Sequence, residues 1–459
     1  MAYHHATGYK PCGPVRNFSG DFRPGVGDEK RREEEMKRRM LFVNGGQTLL
    51  FALASRAAGA SFLSAQQQSR DSSDTLEQRV AAVIQAYDAQ GNHRTGTEVD
   101  KASAEWLASQ VRLLGVEPSL EAFTLSRIDP QSCYLHIAGR RFDGVPVFDT
   151  SFTNAEGVHG RLGPLGSDVE IGLAESEPSK LAEPGIEQSR QVLQARRSQH
   201  KAVVVLTRGV RPGLFLLNAS SFTRPFGPPM LQISSSESEW LREQSAAHAE
   251  AMLVDHVKRT TTQAFNVTVK IAGSNAALAP LVFMAPRSAW WQCVTEQGSR
   301  LACWLEAIRV LAAGKPVRDC FFVALSGHEL GLLGIDSYIK LRPDLIKRAH
   351  AWFFFGSGIG APRQPNLIHG SDDALEQWIV AALAKEGLTV NAKERQSSLA
   401  RGEARAVQQG GGRFVTLACD SEVYHNVADR WPEAVDVALL ARYAKAFADG
   451  ALQLAQQGT

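Results

Sequence analysis

The 459-residue chain has no Cys-x-x-Cys pair: its six cysteines, Cys12, Cys133, Cys293, Cys303, Cys320 and Cys419, are scattered singly. That spacing excludes a zinc finger and a dense disulfide framework, and leaves buried free thiols as the expected state. Charge of one sign is also lacking. Fifty Lys and Arg stand against 48 Asp and Glu, a net charge of +2, which gives no reason to expect nucleic acid or an acidic membrane as partner. No apolar run reaches the roughly 20 residues of a spanning helix: Arg56 interrupts the best one, and Gly45, Gly46 and Gln47 weaken it. Internal repeats and sustained heptads are missing too, which excludes solenoids and coiled coils. What remains, 44% hydrophobic and 21% charged residues, is the composition of a soluble globular protein long enough for two or three domains.

The N-terminal part divides into a polar extension, 1–35, and a signal-like segment, 36–65. The latter orders a basic stretch, an apolar stretch and the small residues Ala58, Gly59 and Ala60, as an export signal does. Arg38 and Arg39 followed by Met40, Leu41 and Phe42 resemble a twin-arginine signal, with Lys37 where Ser or Thr is common. The expectation is export to the periplasm or outside the cell, with Met36 as a candidate start and cleavage near Ala60 or Ala65. Membrane contact would come only through this segment. If it is instead a disordered basic tail, the protein stays cytoplasmic.

Residues 75–123 predict two amphipathic helices. The first is apolar at Val80, Val83, Ile84 and Tyr87; the second at Ala104, Trp106, Leu107, Val111 and Leu114, closed by Gly115. Between them His93 reads as a loop residue. Residues 144–255 change character, with many turns and short strands such as KAVVVLTRG and PFGPPMLQIS, and read as a smaller β-rich insertion into an α/β domain made of 66–143 and 256–459. FNVTVKIAG alternates as an edge strand. From LAPLVFMAP onward, buried strands and helices take turns, which predicts an α/β fold with a mixed, mostly parallel sheet flanked by helices. Sites in such sheets form at the carboxyl ends of strands. His328 and Glu329, in VALSGHELGLLG, fall at one such end. HEL is not a zincin H-E-x-x-H motif, because Leu332 stands where the second His is needed.

HRTGTEVDKASAEWLASQVRLLG, GSRLACWLEAIRVLA, FFVALSGHELGLLGIDSYI and YHNVADRWPEAVD follow one another in an order that resembles metallopeptidase family 28. Its relatives include zinc aminopeptidases, glutamate carboxypeptidase and glutaminyl cyclases. The likeness spans most of 75–457 and implies a zinc-exopeptidase fold; the middle region resembles a protease-associated domain. The family's chemistry uses two zinc ions held by a His, a bridging Asp, a Glu, a second Asp and a distant His, with a further Glu as general base.

Carried onto this chain position by position, the resemblance puts Pro286 at the first His and Ser288 at the neighbouring Asp. Glu296, ten residues before Glu306, falls at the bridging Asp, and Ser357 at the second Asp. His328 occupies the base position and Glu329 a ligand position, and the distant His is His425, with Asp429 flanking it. Pro286, Ser288 and Ser357 are therefore lost ligand or orienting positions. Two readings follow. One is an exported, catalytically degenerate homologue, a pseudo-peptidase that binds a peptide or protein. The other is an enzyme acting on peptide N-termini with one zinc ion on Glu296, Glu329 and His425 and with His328 as acid or base. The cofactor expectation is thus one zinc ion at most, or none. A conventional two-ion site completed by His369, Asp319 or Asp420 has no support in their spacing. Trp290 and Trp291 are expected to plug the cleft that the missing ligands leave.

Overall fold

In the computed structural model the described residues are 74–176, 190–209 and 211–458; the extension 1–35, the signal-like segment 36–65 and Cys12 lie outside them. The chain enters through the helix Leu76–Asp88. Thr75 caps it by accepting from the Gln78 N–H while the Gln78 side chain returns to the Thr75 N–H, a reciprocal satisfaction of two orphan donors. The helix Glu98–Leu113 follows, capped by Thr97. Val80, Ile84 and Tyr87 of the first and Ala104, Leu107 and Val111 of the second are buried, as their periodicity predicts.

Among the described residues fourteen strands follow: β1 (Pro118–Ile137), β2 (Arg140–Asp143), β3 (Val145–Pro146), β4 (Val158–Pro164), β5 (Ile171–Ser176), β6 (Ala202–Thr207), β7 (Met230–Ser234), β8 (Glu250–Ile271), β9 (Leu281–Pro286), β10 (Cys320–Leu325), β11 (Ala351–Phe355), β12 (Asn366–Gly370), β13 (Ala392–Lys393) and β14 (Phe414–Cys419). Their order is β13-β12-β14-β11-β9-β10-β8-β4-β5-β6-β7-β3, with β1 beside β8. β14, β11, β9 and β10 run parallel, and β4 to β7 form a second parallel set.

The two sets are joined by an antiparallel ribbon. β1 and β8, 20 and 22 residues long, pair from Pro118↔Val269 to Ile137↔Ala251, a reach of about 70 Å. One end of β8 pairs with β10 and the other with β4. FNVTVKIAG, expected as an edge strand, is therefore interior: Val267 lies between Leu120 and Ala324. Its alternation reports which face is buried and says nothing about how many neighbours it has.

The parallel strands read as continuous apolar runs because both faces are covered. Phe283, Phe322 and Phe353 pack against helices that include Ser299–Gly314 and Val437–Ala455. Val282, Val323 and Trp352 face Leu333–Lys340 and Ala404–Gln409 on the other side. Gly334 opens the helix Leu333–Lys340 so close to β10 that a Cβ there would sit 2.1 Å from the Ser326 carbonyl oxygen. Cys133, Cys293, Cys303, Cys320 and Cys419 are free and buried. Among the described residues no helix is long and apolar enough to cross a membrane.

Candidate functional site

The carboxyl ends of β9, β10, β11 and β14 point to one place, and the loops that leave them carry the site residues. After β9 the chain passes through Cys293, a left-handed residue at φ +48°, into a π turn, Val294–Gly298, that bears Glu296. Asp429 fixes this turn. Its Oδ1 accepts from Thr295 N–H and Oγ1–H, both at 2.8 Å, and its Oδ2 accepts from Glu296 N–H at 3.1 Å. Burial pushes the Asp429 carboxyl up to about 7.

Glu296 is 1% exposed, and two histidines meet it. His425, itself left-handed at φ +60°, places Nε2 3.3 Å from Glu296 Oε1; His328 places Nε2 3.7 Å from the same oxygen. Each ring is oriented from behind. His425 Nδ1–H donates to the Leu216 carbonyl at 2.6 Å, since a carbonyl can only accept. His328 Nδ1 lies 2.8 Å from Glu403 Oε1. Burial would raise the Glu296 pKa, but His425, His328 and Arg300 outweigh it and hold the carboxyl at about 2. For His328, burial disfavours the charge, and the adjacent Glu403 carboxylate more than offsets it, so its pKa is raised.

Glu329 is elsewhere. Although it too is 1% exposed, its Oε1 accepts from Thr95 N–H and its Oε2 from Ser288 Oγ–H, each at 2.7 Å. Ser288 Oγ in turn accepts from the Gly327 and His328 N–H groups at 2.8 and 3.2 Å. Of the expected site residues, the structure brings Glu296, His425 and His328 together and leaves Glu329 in a hydrogen-bonded knot with Ser288. Pro286 ends β9 opposite Leu325. Ser357 lines the cavity described below, and its carbonyl accepts from Cys419 N–H.

Trp290 and Trp291 do not line that cavity. Trp290 stacks on Phe148 and donates to Asn218 Oδ1 at 3.1 Å, and Trp291 donates to the His425 carbonyl at 3.2 Å. They pack against the segment 213–220 rather than plug a cleft. His93 is a loop residue, but a fully buried one, stacked on Tyr87 with ring centroids 3.6 Å apart; burial lowers its pKa to about 3.

A cavity of about 650 Å³ opens beside these groups, lined among others by Arg300, His328, Ser357, Gly402, Tyr424 and His425. Three residues that line it carry buried polar atoms without hydrogen-bond partners: His328 Nε2, His425 Nε2, and Nε and Nη1 of Arg300; Glu296 Oε2 and Glu403 Oε2, on the residues these histidines contact, are partnerless too. Zinc takes three or four converging N, O or S donors. Glu329 is spent on Thr95 and Ser288, the fixed charge of Arg300 lies alongside Glu296, and among the described residues no group of three or more His, Cys, Asp and Glu could hold a metal ion. The expected set of Glu296, Glu329 and His425 therefore does not converge on one zinc ion.

Arg300, Glu403 and Thr95 escaped the sequence reading. Arg300 carried a signal: it shares a helix face with Trp304 and Ile308, at i+4 and i+8, a charge on an otherwise apolar stripe. Glu403 lies 75 residues from His328, and no spacing rule joins them.

Residues 281–451 match the profile of peptidase family M28. A zinc aminopeptidase from Bacillus subtilis superposes with a TM-score of 0.68 at 19% identity, covering 83% of this chain and 96% of its own. A peptidase M28 precursor from Shewanella amazonensis gives 0.69 at 16%, covering 86% and 97%. An aminopeptidase from an Aneurinibacillus strain gives 0.62 at 16%, covering 83% and 94%. No curated protein in the comparison matches in sequence. At these identities the structures establish the shared α/β fold, and within it residues 281–451 carry the match to peptidase family M28.

Proposed function

We propose that this M28 homologue is a catalytically degenerate, exported protein that binds peptides in the cavity beside Glu296 instead of cleaving them. The observation that carries this reading is the capture of Glu329 by Thr95 and Ser288. A carboxylate whose oxygens already accept short bonds from buried donors is held back from a metal, and a two-ion hydrolase without its ions neither clamps nor deprotonates water. Pro286 and Ser357, which offer no imidazole and no carboxylate, support it. The family implies peptide as the ligand class. Export rests on the order of residues in 36–65, and the region carried by the outer part of the β1–β8 ribbon is read as a protease-associated-like module.

The test is a peptidase assay on aminoacyl anilides and short peptides with added zinc, beside a metal analysis of the dialysed protein. The expected result is no hydrolysis and no stoichiometric zinc. Chelator-sensitive hydrolysis that disappears in Glu296→Gln would overturn the proposal and favour the single-zinc enzyme. N-terminal sequencing of secreted material tests export, with a mature start after Ala60 or Ala65 expected.

A further inference from the structure

Arg300 begins the helix Ser299–Gly314 and is 2% exposed, yet it makes no ion pair among the described residues, and its Nε and Nη1 have no hydrogen-bond partner. The Phe354 ring lies 5.4 Å from the guanidinium carbon, and the Glu296 and Glu403 carboxylates act on it through space. The surrounding acids are matched to other groups: Glu403 to His328 at 2.8 Å, and Glu296 to His425 at 3.3 Å. Nε and Nη1 of Arg300 are thus left without an acceptor at the inner end of the cavity. A buried, unpaired guanidinium is costly, and it persists where something completes it.

From this we infer that Arg300 is the specificity-determining residue of the cavity and that it binds a carboxylate, the C-terminal carboxylate of a short peptide. A guanidinium presents its N–H groups as a planar fork that a carboxylate fills with two parallel bonds. Phe354, Leu332 and Leu399 line the same cavity and offer apolar surface to the peptide's side chains. The volume of about 650 Å³ lies within the usual range for pockets that enclose a small organic ligand. The inference rests on the peptide-binding reading above and adds which end of the peptide is read, and by what.

The experiment is calorimetric titration of the full chain with Ala-Ala-Ala and with its C-terminal amide, followed by mass spectrometry of the recovered peptide, for the wild type and Arg300→Gln. The wild type should bind the free acid and bind the amide weaker by about tenfold or more, the loss of a charge-assisted contact. Arg300→Gln should lose that preference. Arg300→Lys, which keeps the charge without the fork, serves if the glutamine variant does not fold, and should bind the acid more weakly than the wild type while still preferring it. Equal binding of acid and amide by the wild type overturns the role of Arg300 and leaves peptide binding standing. An acid preference that survives unchanged in both variants overturns it as well. Binding of neither peptide overturns both. Recovery of cleaved peptide overturns the non-catalytic reading, while the acid-to-amide ratio still decides the role of Arg300.

Discussion

Glu296 and Glu329 are equally buried and lie on neighbouring strand-end turns, yet their surroundings treat them in opposite ways. Glu329 is closed: both oxygens accept from neutral donors, and burial, the larger influence, raises its pKa. Glu296 is open: two histidines and Arg300 draw its pKa down to about 2, and Oε2 has no partner. A carboxylate completed by a backbone amide and a hydroxyl belongs to the framework. One completed by ionisable groups, with an oxygen to spare, still has capacity for a ligand.

The largest effect is expected at Glu329. Glu329→Ala orphans the Thr95 N–H and the Ser288 hydroxyl and should destabilise the fold by about 4 kcal/mol, read from denaturant midpoints. A loss no greater than that of an ordinary surface substitution would show that the knot is not framework. Glu296→Gln should cost about 3 kcal/mol at neutral pH, because His425 and His328 lose their shared carboxylate.

The two acids also predict opposite pH slopes. The folded-state pKa of Glu296 lies below its ordinary 4.5, so its contribution is present above pH 4.5 and fades as pH falls toward 2; Glu296→Gln should flatten that limb. Glu329 has a raised pKa, so its contribution is full at low pH and fades as pH rises beyond 4.5, a decline that Glu329→Gln should remove. Matching slopes in the two variants would erase the distinction. Ser288→Ala, which leaves Glu329 Oε2 and the His328 N–H without their hydroxyl, should cost about 2 kcal/mol. Arg211→Ala removes only an exposed pair with Glu422 and should change stability by about 0.5 kcal/mol or less.

The α/β core was legible because its strands are apolar on both faces and its helices keep a 3.6-residue period. The meeting of Glu296 with His425 was legible through the motifs of the family likeness. The 20-residue β1 was not, since its polar and apolar residues serve a ribbon exposed along much of its length and leave no run of buried positions. Nor could the sequence show that Glu329 turns away from Glu296. Adjacency along the chain fixes the turn, whereas the direction of the side chain depends on Thr95 and Ser288, 234 and 41 residues away. Glu403 behind His328 is hidden for the same reason.

His425 is oriented by the main-chain carbonyl of Leu216, in a segment that also bridges Phe215 to Asn426 and docks Ala219 N–H on the Glu329 carbonyl. A peptide carbonyl is supplied by any amino acid, so the link between the second strand set and the histidine is carried by the path of the chain and not by the identity of residue 216. Leu216 itself is buried in the core, so its side chain answers to packing while its carbonyl holds the imidazole. A one-residue deletion between 213 and 219 would move the acceptor by a full peptide unit, so this orientation of His425 is vulnerable to changes in the length of the segment.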